Sequence, residues 1–462
     1  SVFADHLAPS LRSSWKQGAI VFTRVLGGFA AVLEAGGGFR SLLLRIARPG
    51  RDRARQMESA AAGLGLLCFF DGLANSLVVG RVGRDLADRC GVARVKLAYI
   101  ADSTSSAVAC VAFISTWIAF QLSMIGEAYA LAGCEVNPYS VFLASMPYNF
   151  YCWFTLVMMF VAIRWRYHPG SMRNFVNDAV AIHESDPGTE PSGHIASALI
   201  PLGVLLASFF VFFLALGSPR PVLPLGRGKL IAAFGSDAGP LVLVLAGVTA
   251  TAAAAMLFPR QERGRVRPAA LAFAGGVRTM VGPVFVLLAA WILGSVIGAL
   301  GTAELIAGLA ARTGSTVLLP SMVFLTGAAV SFSTGTSWGT MGLLFPLAVP
   351  AAAKMGLPAD QLPIIVAAVF SGAVFGDHCS PFSDTTIVTS ISCGVEPHDH
   401  VRTQIPYAMI TAVAAIGLGF LPAGRGVPAL VCLIAGSLGL LLLPTLTGRF
   451  GRAARCKTGC QA

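Results

Sequence analysis

The stretch Ser371-Gly-Ala-Val-Phe-Gly-Asp377-His378-Cys379-Ser380-Pro381-Phe382-Ser383-Asp384-Thr385-Thr386 decides how the chain is read. Ahead of it, Ile364 to Gly376 is apolar or small except for Ser371. As a helix that run rises ~20 Å at ~1.5 Å per residue, more than half of a hydrocarbon core ~30 Å thick. The polar run therefore begins deep in a membrane, with two acids, a histidine, several hydroxyls and a proline. A bilayer tolerates such a segment only where it is packed in protein or lines a wet cavity. Pro381 has no N–H and disrupts helical bonding, which frees carbonyls upstream. Free carbonyls, hydroxyls and carboxylates together suit a small hard cation.

Composition supports the membrane reading. The 462 residues are 55% hydrophobic and only 12% charged, and mean hydropathy is +0.73, whereas an ordinary soluble domain is about 25% charged. Long apolar runs recur along the chain, so the fold class is all-α, a polytopic helical membrane protein; the short alternating segments of a β-barrel are absent. The formal charge of +11 comes from arginines scattered between apolar spans, which fits membrane-flanking loops and not a nucleic-acid-binding face. With no sizeable polar domain, a soluble-type enzyme is excluded. Cys68, Cys110, Cys152, Cys379 and Cys432 lie in apolar runs as small hydrophobes, and Cys456 and Cys460 form no CxxC pair, so neither zinc nor a disulfide framework is inferred. Ser1 to Gly18 is charged and has no apolar core of the kind a signal peptide needs.

The chain divides into a first transmembrane half at 19–171, a cytoplasmic linker at 172–194, a second transmembrane half at 195–445 carrying the main ion motif, and a basic tail at 446–462. Apolar segments are expected at Ala60–Gly80, Leu97–Leu122, Tyr139–Ile163, Ile195–Leu216, Ala238–Phe258, Val281–Leu300, Ile405–Leu421 and Val427–Pro444. Val317 to Ala353 is too long for one crossing of ~20 residues and is broken by Gly335-Thr336-Ser337-Trp338-Gly339-Thr340. Arginine-rich loops at 81–96, 164–194 and 260–268 and the tail are assigned to the cytoplasm. Both flanks of Ala60–Gly80 are basic, so that segment is either a re-entrant or broken hairpin or an exception to the charge rule.

Polar residues recur in corresponding places. Asp71–Asn75 precedes Asp102–Ser106, as Gly335–Thr340 precedes Asp377–Asp384, and Asp102-x-x-Ser105 is echoed by Asp377-x-x-Ser380. Two inverted-repeat halves with discontinuous helices meeting near the midplane are how many secondary transporters build a site. Asp377 and Asp384 are the expected proton- and cation-exchanging carboxylates, with Asp71 and Asp102 as partners from the other half. Burial raises a carboxylate's pKa and a bound cation lowers it, so a carboxylate between those influences exchanges a proton for a cation near ambient pH. Ser380, Ser383, Thr385, Thr336, Ser337 and Thr340 would supply neutral oxygens. Asn75 would donate to a carboxylate or bind through its carbonyl.

Plainer readings stand beside these. Asp71 could be paired with Arg81 or Arg84, and Asp102, a turn or two past Lys96, could be an ordinary interfacial acid. His378 could report pH or merely pack. Asp377-His378-Cys379 invites a transition metal, but adjacent helical residues do not share a face. His398-Asp399-His400, beside Arg402, reads first as a solvated loop, and Trp117 and Trp338 as packing residues. An intramembrane aspartyl protease would need Gly-x-Gly-Asp, and Val374-Phe375 stands where Gly-x belongs.

With these residues in view, the chain resembles the NhaC-type sodium/proton antiporter family of the ion transporter superfamily. The resemblance rests on Gly335–Thr340, Phe375–Thr386 and Asp399-His-Val-Arg-Thr-Gln404, and in the first half on Ala74-Asn-Ser-Leu-Val-Val-Gly80 and Lys96-Leu-Ala-Tyr-Ile-Ala-Asp-Ser-Thr104. It extends from about residue 20 to 420. Two departures stand out: Gly72 occupies the place of a second acid, and Ala107 that of a proline. The resemblance implies Na⁺ extrusion against H⁺ by a multi-pass protein of the cell membrane, the inner membrane in bacteria, with no cofactor and no catalytic residue. A homodimer is compatible with it. Some relatives exchange organic acids such as malate and lactate, and such a substrate would need a positive partner, for which Arg278 or a half-helix N-terminus is the candidate.

Overall fold

A computed structural model describes residues 14–46, 52–179, 193–217, 227–234, 236–259, 266–300 and 316–446. Most of the linker at 172–194, the loop arginines 260, 263 and 265 and the tail beyond Leu446 lie outside the described residues. Within them every regular element is helical. Eight helices are long and apolar enough to cross a membrane, and two bent pairs bring the number to 10.

The first half contains α1 (Ser14–Ala35), α2 (Gly38–Ile46), α3 (Arg53–Leu67), α4 (Gly72–Cys90), α5 (Arg94–Val111), α6 (Thr116–Leu131), α7 (Pro138–Ser145) and α8 (Phe150–Arg164), and the short α9 (Met172–Asp178) opens the linker. The second half begins with α10 (Ala196–Gly217), α11 (Arg227–Phe234), α12 (Gly239–Met256), α13 (Val266–Thr279) and α14 (Val281–Ala299). It continues with α15 (Leu319–Thr334), α16 (Ser337–Lys354), α17 (Leu362–Cys379), α18 (Asp384–Cys393) and α19 (Pro397–Ala414). A π-helical turn at Ala415–Phe420 leads into α20 (Leu421–Gly424), and α21 (Ala429–Leu446) follows.

Four breaks matter for function, and local chemistry makes each. α3 ends at Leu67, and α4 restarts only after Asp71, whose carboxylate accepts the Ala74 N–H and caps the new helix. The expected hairpin-or-broken segment at Ala60–Gly80 is therefore broken, and α3 and α4 pack on each other. α5 and α6 are bent by 45° across residues 112–115. α15 stops at Gly335, which adopts φ +67 in the left-handed region, and Thr336 caps α16 through the Gly339 N–H. α17 stops at Cys379, and α18 begins at Asp384 after Pro381.

Burial singles out the central helix. The membrane-length window of α17 is 94% buried, whereas those of α10 and α21 are 28% buried and face outward. Small residues let α15 and α17 approach closely. Gly327 faces Gly372, and a Cβ on Gly376 would clash with the Ser331 hydroxyl, which donates to the Ala373 carbonyl at 2.7 Å. The two halves meet where α4 and α5 pack on α18. There the Thr389 hydroxyl bonds that of Ser76 at 2.8 Å, and Gly80 lies against Ser392 and Cys393.

Candidate functional site

Asp377 occupies the last turn of α17 and is fully buried. Ser383, past the break, donates to its Oδ1 at 3.3 Å, while Oδ2 has no hydrogen-bond partner among the described residues. Ser337, on the first turn of α16, lies beside the same carboxyl. The Thr386 hydroxyl holds the Asp377 backbone carbonyl at 2.7 Å, and Ser383 and Thr385 share a hydrogen bond of 2.9 Å. A carboxylate at a helix C-terminus faces the negative end of the macrodipole. A buried bare charge there, with one oxygen unmatched, is costly unless a proton or cation joins it. The Ser383 and Ser337 hydroxyls lie at the carboxyl, and oxygen donors of this kind are what a hard cation takes.

The other expected residues take different places. Thr336, Thr340 and Ser380 shape the breaks: Thr336 caps α16, Thr340 donates to the Thr336 carbonyl at 2.8 Å, and buried Ser380 accepts the Phe382 N–H at 3.3 Å. Asp384, the other expected carboxylate, stands across the break from Asp377, close enough for its charge to act on it. It is exposed, its Oδ1 accepting the Thr385 N–H at 2.8 Å, where the N-terminus of α18 stabilises an anion. Asp71 is buried and committed to capping α4, its carboxylate 2.6 Å from the Ala74 N–H. Arg81 pairs with Glu34 at 3.6 Å and Arg84 with Asp85 at 3.5 Å, so neither arginine is the partner considered for Asp71.

Asn75 meets no carboxylate. Its amide donates to the Gly65 carbonyl at 2.7 Å and the Thr104 carbonyl at 3.1 Å, and its oxygen accepts the Thr104 hydroxyl at 3.2 Å. It staples the α3–α4 break to α5. The donation to a carboxylate considered from the sequence is thereby replaced, and the reason is geometric: the break brings two helices' backbone carbonyls onto one side-chain amide.

Asp102 is not an interfacial acid. It is fully buried in α5, with its Oδ2 2.6 Å from the Gln404 amide and 3.4 Å from His400 Nε2. His400 in turn is no solvated loop residue. α19 starts at Pro397, behind the Glu396 cap, so the His398–His400 segment is helical and His400 turns inward onto Asp102. His378, next to Asp377, is buried and shares a 3.0 Å hydrogen bond through Nδ1 with the Tyr151 hydroxyl. Trp117 and Trp338 pack edge to face at 6.4 Å, and Trp338 also lies 4.6 Å from Phe120.

A second buried group had no role assigned from the sequence. Lys96 is fully buried, its ammonium 5.1 Å from the Tyr99 ring and 5.4 Å from the Tyr407 ring, with no hydrogen-bond partner among the described residues. The two tyrosines stack at 4.1 Å. Glu58, buried in α3, has an unpartnered Oε2. Lys96 opens one of the motifs quoted above, but spacing alone gives no sign that it points inward.

Interrupted helices carrying buried carboxylates at their broken ends, within a multi-pass helical bundle, define a secondary transporter. Residues 108–422 match the Na⁺/H⁺ antiporter family, and the chain belongs to that family. An uncharacterised Haemophilus influenzae protein is 30% identical over 433 residues, 92% of this chain and 82% of that protein. The malate-2H⁺/Na⁺-lactate antiporter of Bacillus subtilis is 34% identical over 30% of this chain and 29% of its own length. The Na⁺/H⁺ antiporter NhaC of Alkalihalophilus pseudofirmus is 36% identical over 20% of each chain. The fold is that of the Alcanivorax borkumensis YdaH transporter, with a TM-score of 0.59 at 15% identity over 92% of this chain and 88% of that one. The protein is thus a multi-pass membrane antiporter, and the expectations of fold class and family hold.

Proposed function

We propose that this antiporter exchanges Na⁺ for H⁺ by alternating access, with Asp377 as the carboxylate that carries either ion. One observation carries the reading: Asp377 is fully buried at the end of α17, and among the described residues its Oδ2 has no hydrogen-bond partner. Protonation satisfies that oxygen in one state, and a cation satisfies it in the other. Ser383 and Ser337 would add neutral oxygens around the cation. Asp384, exposed one break away, would attract cations toward the site without holding them. Asp102 with His400 and Gln404 would be a fixed negative partner behind the site. The twofold inverted relation of the halves belongs to this reading, since it lets one rigid unit rock against the other.

Exchange of a small carboxylate is the second reading, favoured by the B. subtilis relative's name. Arg278, the cation first considered for it, is exposed on α13, which packs on α1. Lys96 is the buried cation that could serve instead. Proteoliposomes loaded with a pH indicator distinguish the two. Proton flux driven by Na⁺ alone, and abolished in Asp377→Asn, is the expected result. Flux that requires malate or lactate and is lost in Lys96→Met would establish the second reading.

A further inference from the structure

A groove on the outer face of the bundle, separate from the ion site, has the dimensions and chemistry of a lipid seat. It lies between α3, α8 and α21 and encloses about 710 Å³. Its walls are almost wholly apolar, with Leu66, Leu156, Phe160 and Leu441 prominent, and Arg55 and Arg164 line it as well. Leu66 and Phe160 are exposed. Gly63 opens into it, since a Cβ there would meet nothing within 4 Å.

The two arginines lie at the same end. Asp52, which caps α3 just ahead of Arg55, contacts Arg166, just beyond the end of α8, at 3.4 Å, so the start of α3 sits beside the end of α8. The two helices therefore run antiparallel along the groove. From Arg55 to Leu66, and from Arg164 back to Trp153, each wall rises ~16 Å at ~1.5 Å per residue, about half of a hydrocarbon core ~30 Å thick. That is the depth of a single leaflet. Asp52 also contacts Arg55 at 3.5 Å, and among the described residues it and the buried Glu58 are the acids set against Arg55, Arg164 and Arg166, so the rim remains net positive.

We propose that the groove binds one anionic glycerophospholipid of the leaflet on the arginine side, with its phosphate on Arg55 and Arg164 and an acyl chain along Gly63 and Leu66. Basic pockets between transmembrane helices suit anionic head groups, and a guanidinium pair matches a phosphate's geometry. A groove one leaflet deep with charge at only one end does not fit a soluble ligand. The seat also touches function, because α3 carries Gly65, whose carbonyl anchors Asn75 at the α3–α4 break.

The test is native mass spectrometry of delipidated full-length protein titrated with phosphatidylglycerol or phosphatidylcholine, both with matched acyl chains. Phosphatidylglycerol should form a first adduct at ~10-fold lower concentration than phosphatidylcholine. That preference should fall at least ~5-fold in Arg164→Gln, in line with one charge-assisted contact. Gly63→Trp, which fills the groove and touches none of the charges, should remove the first adduct of either lipid. Retention of the native melting temperature in both variants keeps a folding defect from mimicking the result. Equal adducts of both lipids, unchanged in Arg164→Gln, would overturn the proposal. So would a lipid-free dimer that Gly63→Trp dissociates, which would give the groove to a second copy.

Discussion

Asp71 and Asp377 are the same residue type, both buried and both at a helix break, yet they stand at opposite ends of their helices. Asp71 precedes α4, where the first N–H groups point at its carboxylate and the macrodipole favours a negative charge. Asp377 closes α17, where the exposed groups are carbonyls and the field is reversed. The first carboxylate is satisfied by its own backbone, with Ala74 N at 2.6 Å. The second has the Ser383 hydroxyl on one oxygen and, among the described residues, no hydrogen bond on the other, with Ser337 beside it. A buried acid is therefore not a functional acid by virtue of depth alone. The end of the helix it occupies decides whether the protein or the cargo completes it.

Five substitutions at four positions test this contrast, from the largest effect downward. Asp377→Asn removes the charge that a cation must neutralise and should lower Na⁺-driven proton flux in proteoliposomes by ~100-fold or more, about 2.7 kcal/mol of lost stabilisation. Flux within a few-fold of the parent would erase the distinction between the two acids. Ser383→Ala deletes the one hydroxyl on Asp377 Oδ1, a bond to a charged group worth ~1.5–3 kcal/mol. The Na⁺ concentration for half-maximal flux should rise by ~10-fold or more, and an unchanged value would remove Ser383 from the cation's surroundings.

Asp384→Asn should act more mildly, because the side chain is exposed and its field is screened by salt within ~10 Å at 0.1 M. A loss of ~3-fold in flux at low ionic strength, vanishing at high salt, is expected. A loss as deep as that of Asp377→Asn would make the two a single binding pair. Asp71→Asn should be almost silent, since asparagine caps as well as aspartate. Asp71→Ala should reduce stability by about 1 kcal/mol, visible as a lower melting temperature in detergent. If Asp71→Asn abolishes transport without lowering that temperature, Asp71 belongs with Asp377 after all.

Much of this was legible in the residues. The polar run after a long apolar helix marked the break at Cys379–Asp384, and Gly335 in a run too long for one crossing marked the other. Pattern could not supply partners. Asp102 is answered by His400 and Gln404, which lie about three hundred residues away on α19. His398-Asp399-His400 looks solvated because it is polar and borders Arg402. Only the helix start at Pro397 fixes which histidine faces inward. Asn75 misled for a related reason. An amide can serve an ion or a backbone, and the choice depends on where Gly65 and Thr104 present their carbonyls. Lys96 and Glu58, both buried, sit at the edges of their segments, where sequence assigns charges to water.

Proton release on cation binding tests the central claim most directly. Purified protein in weakly buffered detergent, at a pH where the site is protonated, receives NaCl while a pH electrode or indicator records the response. The parent and Asp384→Asn should both release protons in a saturable, Na⁺-dependent way, and Asp377→Asn should release none. Undiminished release from Asp377→Asn would show that the exchanged proton resides elsewhere and would contradict the account.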